Sequence, residues 1–217
     1  LAAELGVGRS SVREAIRVLE VLGLIRTQTG SGPQSGAIII ARPSGGMAAL
    51  VRLQLAAHGF AVADVVATRV VLESAVVAEL ATWSARADAD GTSDTSDAPP
   101  LAEALELLDA METPAVALDR DEFLTLDQSF HRALATASGN AVIAAMMTGL
   151  RDSIEAYVRL GASVLPDWES TAARLRAEHR AVVAAIGSGD AEQASALIRH
   201  HIETYHHETT VTGPNAR

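Results

Sequence analysis

The sequence predicts a mainly α-helical protein with a small N-terminal head and a larger helical body. In the first 42 residues, two helical segments separated by a short turn precede two short apolar strands. From Met47 onward, apolar residues recur at three- and four-residue steps, and no convincing strand pattern interrupts them. We therefore expect an antiparallel bundle of six or seven helices behind a head that ends in a β-hairpin.

The head has the order helix, turn, helix, hairpin. Residues 1–5 (LAAEL) begin a first helix, and a second helix, SSVREAIRVLEVLG, carries one apolar stripe and stops at Gly23. Residues 24–27 and 37–40 have strand composition and are joined by the glycine-rich turn TGSGPQSG. This order is that of a winged helix-turn-helix, which we assign to residues 1–42.

The second helix of the head is the candidate DNA-contacting element. In a helix-turn-helix, the N-terminal residues of this helix reach base edges in the major groove. Arginine holds guanine or phosphate, and serine contacts either. A solvated charged face is the alternative interpretation, and the tip of the hairpin has no basic residue, so a contact from the wing stays open. The candidate DNA-contacting residues are Arg9, Ser10, Ser11, Arg13 and Arg17.

Charge is divided unevenly along the chain. The formal net charge is −10, but residues 1–42 hold five Arg and three Glu, for +2, and the remainder carries −12. A basic head on an acidic body is expected where only the head meets phosphate. The lack of cysteine excludes disulfides and thiolate metal sites. No apolar run approaches the ~20 residues that span a bilayer, so we expect a cytoplasmic protein without a membrane partner.

The body is assigned to residues 47–217, after a linker at residues 43–46 (PSGG). Residues 88–100 are acidic, small and proline-ended, and they predict a loop. Apolar periodicity predicts helices at about 47–57, 61–87, 100–111, 115–137, 140–161, 167–187 and 190–210.

Six of the seven histidines lie beyond residue 130. Asp127 and His131 are four residues apart, so they project from one face of a helix. His179 lies in a later helix, and His200 and His201 lie in the last one. One carboxylate and three neutral imidazoles suit Zn²⁺, Ni²⁺ or Mn²⁺. Spacing does not show that three helices converge, so a local hydrogen-bonded pair and a core histidine at position 179 remain alternatives.

Two sets of motifs resemble a known family. The run LAAELGVGRSSVREAIRVLEVLGLI resembles the head of the GntR family of bacterial regulators. The body resembles the C-terminal FCD domain of the FadR subgroup, whose pattern D-x-x-F-H-x-x-L-x-x-x-S-G-N is met by residues 127–140. The later pattern E-H-R-x-x-x-x-A-I-x-x-G-D is met by residues 178–190, and a closing His-aliphatic pair by His201 and Ile202.

This resemblance implies a divalent ion, Zn²⁺, Ni²⁺ or Mn²⁺, inside the helical body. An organic acid, a small carboxylate or sugar acid, binds beside the ion in such domains. An arginine on the first long helix commonly lines the pocket, which here implies Arg69, with Glu73 one turn on. Asn140, at the end of the S-G-N motif, is the third effector-binding candidate. The implied metal ligands are Asp127, His131, His179 and His201.

The resemblance also implies a homodimer on a pseudo-palindromic DNA operator, with effector binding that changes operator affinity. A metal-dependent hydrolase is the main rival, because an ion with an open coordination position activates water. We predict no enzyme, since no general base is marked apart from the ligands. A purely structural ion and a metal-independent acyl-CoA ligand are the two further alternatives within the regulator class.

Overall fold

The computed structural model describes most of the chain. The predicted linker at 43–46, the tip of the hairpin and most of the loop predicted at 88–100 lie outside the described residues. The boundaries assigned to the two domains therefore stay predictions. The described residues are 1–21, 25–28, 36–39, 50–51, 53–54, 57, 59–89, 100–112 and 118–211.

The head has the predicted order of two helices followed by a hairpin. Its elements are α1 (Ala2–Leu5), α2 (Arg9–Val21), β1 (Ile25–Gln28) and β2 (Gly36–Ile39). Gly6 has a φ of 65° and ends α1 in the left-handed conformation, which glycine adopts without a steric penalty. The two strands pair antiparallel, with Ile25 opposite Ile39. The winged helix-turn-helix prediction is confirmed.

All regular secondary structure in the described residues of the body is helical. Its helices are α3 (Val62–Ala89), α4 (Ala102–Glu112), α5 (Arg120–Ala137), α6 (Ala141–Ser163), α7 (Trp168–Gly187) and α8 (Ala191–Val211). Residues described between 50 and 57 are helical as well. The predicted mainly α fold is confirmed. No described helix combines the length and apolar character that a membrane span requires.

Side-chain caps fix where the ligand-bearing helices begin. Asp119 and Glu122 form a capping box at the start of α5, with Asp119 Oδ1 accepting from the Glu122 amide at 2.8 Å. Asp167 accepts from the Ser170 amide at 3.0 Å and caps α7. The prediction of a helix from residue 115 was therefore early: α5 begins at Arg120, directly after its cap.

The long helix α3 lies at the centre of the bundle. It packs most extensively along α8 and also contacts α5, α6 and α7. The core between these helices includes the fully buried side chains of Leu80, Phe130, Ile186 and Ile198. Each of α5, α7 and α8 contacts α3, and side chains from these four helices meet in one buried region.

Candidate functional site

Four predicted ligand residues come together in the body. Asp127 and His131 of α5, His179 of α7 and His201 of α8 each offer one ligand atom, and these atoms all lie within 4.8 Å of one another. The three imidazoles are buried, with ring centroids 4.6 to 5.4 Å apart. The neighbouring His200 is exposed. The three-helix convergence that spacing alone could not predict is thus present.

Two carboxylates orient the histidine rings. His131 Nδ1 lies 2.5 Å from Glu73 Oε2, and His201 Nδ1 lies 2.8 Å from Glu178 Oε2. With an N–H at each Nδ1 donating to a carboxylate, each Nε2 carries the lone pair that a metal ion needs. A carboxylate behind a ligating histidine is the usual outer partner in metal sites, because it fixes both the tautomer and the ring orientation.

Three other ring nitrogens of the cluster are buried without a hydrogen-bond partner. His179 Nε2 lies 3.2 Å and His131 Nε2 3.7 Å from Asp127 Oδ1. Both nitrogens are buried without a hydrogen bond, as is His179 Nδ1. Buried polar atoms are normally partnered, so two imidazole nitrogens left facing one carboxylate oxygen need an explanation. A set of one oxygen and three nitrogens fits a divalent ion such as Zn²⁺, Ni²⁺ or Mn²⁺.

Burial keeps two of the three histidines in the protonation state that metal binding requires. Burial lowers the pKa of His201 to about 3 and also lowers the pKa of His179, so both rings are neutral at pH 7. Burial raises the pKa of Asp127, but the neighbouring His131 and Arg151 outweigh it and hold that pKa well below the usual range. Neutral imidazoles and an ionised carboxylate are the metal-binding forms.

Each carboxylate that touches the cluster has its own arginine. The three pairs are Arg69–Glu73 at 2.9 Å, Arg151–Asp127 at 3.2 Å and Arg174–Glu178 at 2.5 Å. Arg69 and Arg151 are only 8% and 7% exposed. Burial lowers the pKa of Arg151 to about 10, which leaves it charged at neutral pH, and its Nε atom has no hydrogen-bond partner.

Two small cavities, the outer and the inner lobe, lie beside the cluster and share five lining residues. Both lobes are lined by Arg69, Asp127 and Arg151 together with apolar side chains of α5 and α6. The outer lobe, of about 30 Å³, reaches Gln128 and Arg159. The inner lobe, of about 40 Å³, reaches His201 and Tyr205, and the Tyr205 hydroxyl is buried without a hydrogen-bond partner.

The structure places the three predicted effector-binding residues differently from one another. Arg69 lines both lobes. Glu73 is not among the residues that line them: its carboxylate is occupied by His131 and Arg69, so it holds a ligand histidine in place.

Asn140 is not brought to the cavity. Its side chain is exposed and caps α6, where Oδ1 accepts from the amides of Val142 and Ile143 at 3.1 and 3.2 Å. The structure gives the amide oxygen of Asn140 a capping role; that Asn140 binds the effector stays a prediction. The S-G-N motif is therefore a helix junction in this chain.

Sequence reasoning missed Arg151, Tyr205 and the orienting role of Glu178. Arg151 reaches Asp127 from another helix across 24 residues, and no local pattern marks such a pair. Glu178 stands next to His179 in the E-H-R motif, which is the signal that was available. Tyr205 lies one turn after His201 on α8, a spacing that places the two side chains on one face.

The predicted DNA-contacting residues lie on an open helix. Arg9, Ser10, Ser11, Arg13 and Arg17 are all exposed on α2. The three arginines follow one another at four-residue steps, so they share one helix face. The Thr27 amide donates to Glu20 Oε1 at 3.0 Å and ties β1 to the end of α2. The sequence left open whether the tip of the wing contacts DNA, and this tip lies outside the described residues.

An exposed basic helix in a winged helix-turn-helix head, joined to a helical body with a buried polar centre, defines a DNA-binding transcription regulator with an effector domain. The family model described as "FCD domain" matches residues 64–204, more than half of the chain. The model described as "Bacterial regulatory proteins, gntR family" matches residues 1–33. The chain belongs to the GntR family and carries an FCD domain.

A solved structure has the same fold. Streptococcus agalactiae GntR is similar to this chain with a TM-score of 0.58 and 22% sequence identity, over 94% of this chain and 83% of that one. Among curated proteins, no match was found. The family assignment confirms the resemblance to GntR regulators with an FCD domain and the prediction that the protein is a regulator and not an enzyme.

Proposed function

We propose that this regulator binds a divalent metal ion and senses a small organic acid beside it. The observation that supports the proposal most strongly is the pair of buried imidazole nitrogens that face Asp127 Oδ1 without a hydrogen bond. The proposed metal ligands are Asp127, His131, His179 and His201. When bound, the ion supplies a buried positive charge that attracts a carboxylate.

The walls of the outer and the inner lobe support an acid as effector. Arg69 and Arg151 bring cationic groups to the lobes, and guanidinium groups bind carboxylates with well-defined geometry. Lobes of about 30 and 40 Å³ are far below the roughly 150 Å³ that holds benzene, so each admits at most a small group such as a carboxylate. A long acyl chain fits neither lobe, which disfavours an acyl-CoA ligand beside the cluster.

The proposed output is a change in operator affinity. Arg9, Arg13 and Arg17 of α2 are proposed to contact a DNA half-site, with Ser10 and Ser11 beside them. A homodimer would place two such helices on a pseudo-palindromic operator, one for each half-site. Effector binding in the body then alters how the two heads meet DNA, with a coupling free energy of about 1–3 kcal/mol.

The test measures metal and DNA binding on the same preparation. We expect about one equivalent of Zn, Ni or Mn by elemental mass spectrometry, lost on dialysis against a chelator. A panel of small organic acids should change the affinity for operator DNA about fivefold or more when metal is present, and not after chelation. Because the operator is unknown, a selected DNA pool supplies the probe.

Two outcomes would contradict the proposal in different ways. Failure to take up any divalent ion would remove the metal centre and leave the DNA-binding assignment in place. Metal uptake that raises thermal stability, while no acid changes DNA affinity, would favour the purely structural ion. The matched control is His200→Ala, which changes an exposed neighbour of a proposed ligand and should bind metal normally.

A further inference from the structure

We infer that Arg174 is a positioning residue for the proposed metal centre. Arg174 is not one of the proposed ligands, but it holds the carboxylate of Glu178 in the place from which Glu178 orients His201. The inference rests on the proposed metal centre and concerns how strongly one of its ligands holds an ion. It follows from a chain of side-chain contacts that joins α7 to α8.

The chain of contacts begins at a partly exposed carboxylate and ends at a buried ligand. Glu208 Oε2 lies 2.6 Å from Arg174 Nη2, and Arg174 Nη1 lies 2.5 Å from Glu178 Oε1. The other oxygen of Glu178 lies 2.8 Å from His201 Nδ1. Side-chain exposure falls along the chain, from 34% at Glu208 to 30%, 14% and 5% at the three groups that follow. Arg174 thus connects the edge of the bundle to a proposed ligand.

The shape of the guanidinium group suits it to hold a carboxylate in one orientation. Glu178 lies one turn after Arg174 on α7, while Glu208 lies on α8, about two turns after His201. Two different nitrogens of Arg174 donate to the two carboxylates. Because the group is planar and rigid, it fixes the direction of both contacts. A rotation of Glu178 away from His201 would therefore also break its contact with Arg174.

Glu178 depends on a single arginine, unlike its counterpart on α3. Glu73, the carboxylate behind the other oriented histidine, has Arg69 at 2.9 Å and Arg151 at 3.8 Å. In the part of the chain that the structure describes, Arg174 is the one arginine paired with Glu178. The loss of Arg174 should therefore release Glu178, whereas Glu73 has a second cationic neighbour.

Charge and position predict opposite effects for the loss of Arg174. A positive side chain repels a cation, so its removal should raise zinc affinity by charge alone. Loss of its hold on Glu178 should lower zinc affinity, because the outer partner of a ligating histidine is typically worth about 10- to 100-fold. At 30% exposure, screening by solvent limits the charge effect to about fivefold. Position should therefore dominate, and the direction of the change identifies the cause.

The test measures zinc affinity by competition with a chelator. We expect Arg174→Gln to weaken zinc binding about fivefold or more. Arg180→Gln is the matched control, because Arg180 also lies on α7 and also pairs with two carboxylates, both of them on α4. A general loss of stability affects the two variants alike, but Arg180→Gln should leave zinc affinity within about twofold. Unchanged or tighter zinc binding by Arg174→Gln would overturn the inference, as would an equal loss in the control.

A double-mutant cycle shows whether Arg174 acts through Glu178. Glu178→Gln removes the orienting carboxylate and should weaken zinc binding about tenfold or more. In that background Arg174→Gln should cause no further loss, since the carboxylate that it positions is already gone. The same fold-loss in both backgrounds would contradict the inference, because Arg174 would then act by another route.

A measurement without zinc separates this inference from the metal-sensor proposal. Nuclear magnetic resonance of the metal-free chain with isotope-labelled histidine should show the ring proton of His201 fixed on Nδ1. Arg174→Gln should give a mixture of the two tautomers, whereas Arg180→Gln should not. If the variant keeps a fixed Nδ1 proton while the unsubstituted chain binds zinc, only the inference fails. An unsubstituted chain that binds no zinc overturns the metal centre and the inference together.

Discussion

Arginine has opposite surroundings in the two parts of the molecule. In the head, Arg9 and Arg13 are exposed on α2, where a charge costs little and remains available to phosphate. In the body, Arg69 and Arg151 are less than a tenth exposed, and each is paired with a carboxylate beside the histidine cluster. The head thus keeps its arginines available to the charges of another molecule, whereas the body uses its arginines to neutralise its own buried carboxylates.

This difference predicts how the two parts respond to change. An exposed arginine can be removed with little effect on folding, because no buried group loses its partner. Removal of one member of a buried pair leaves a charge or a polar atom without compensation. Head variants should therefore act on DNA alone, and body variants on metal, effector and stability together. Three predictions test this separation, in order of expected size.

The largest effect is expected for His179→Ala. His179 is fully buried and faces Asp127, so its loss removes a proposed ligand from the middle of the cluster. We expect zinc affinity to fall about 100-fold or more, beyond the 10- to 100-fold typical of outer-shell changes. Competition with a fluorescent chelator measures the zinc affinity.

In the same variant, the affinity of the metal-free protein for DNA should stay close to that of the unsubstituted protein. A parallel collapse of metal-free DNA binding would show that the two parts are not separable. His200→Ala, which alters an exposed histidine of α8, serves as the reference for nonspecific effects.

The second prediction concerns acid. Burial lowers the pKa of His201 to about 3 from an ordinary value of 6.5, and lowers that of His179. Between pH 6.5 and 3 the unfolded chain therefore binds more protons, and the free energy of unfolding of the metal-free protein should drop as the pH falls. Each histidine contributes about 1.4 kcal/mol per pH unit within its window.

Urea unfolding of the chelated protein at pH 7.5, 6 and 5 measures this loss. His201→Gln should make the decline with pH shallower, because one buried titrating ring is gone. His200→Gln removes an exposed ring from the adjacent position and should leave the slope unchanged. Identical slopes for both variants would refute the assignment of acid sensitivity to the buried ring.

The smallest effect is expected for Arg13→Ala in the head. Loss of one base or phosphate contact should weaken operator binding by about 1 kcal/mol or more, which fluorescence anisotropy detects. Zinc affinity and the unfolding transition should not change. Arg199→Ala, an exposed arginine of α8, controls for the loss of one positive charge. An altered zinc affinity in Arg13→Ala would break the proposed separation.

Local patterns predicted the helices and the hairpin because these elements depend on near neighbours. Apolar steps of three and four residues placed α6, α7 and α8 within a few residues of their observed bounds. The start of α5 was placed too early, since periodicity was followed past the capping box of Asp119 and Glu122. The capping box is visible in the sequence, and it predicts the start of α5 better than the apolar periodicity does.

The site was predictable only in part. The four-residue spacing of Asp127 and His131 shows one shared face, but the approach of His179 and His201 depends on how helices pack. The family resemblance supplied those two residues. Arg151 escaped prediction because its contact with Asp127 crosses between helices. The capping role of Asn140 was not predicted, because the motif was interpreted only as a ligand site.

The four proposed ligands come from three helices, and up to 74 residues separate them along the sequence, from Asp127 to His201. An unfolded or nascent chain therefore cannot assemble this set, and an ion held by it would select the folded state alone. At a free ion concentration 100 times the dissociation constant, that selection is worth about 2.7 kcal/mol. Cells short of the metal would then hold less of this regulator, because proteases remove the unfolded fraction. Metal supply would thus set the amount of regulator as well as its response.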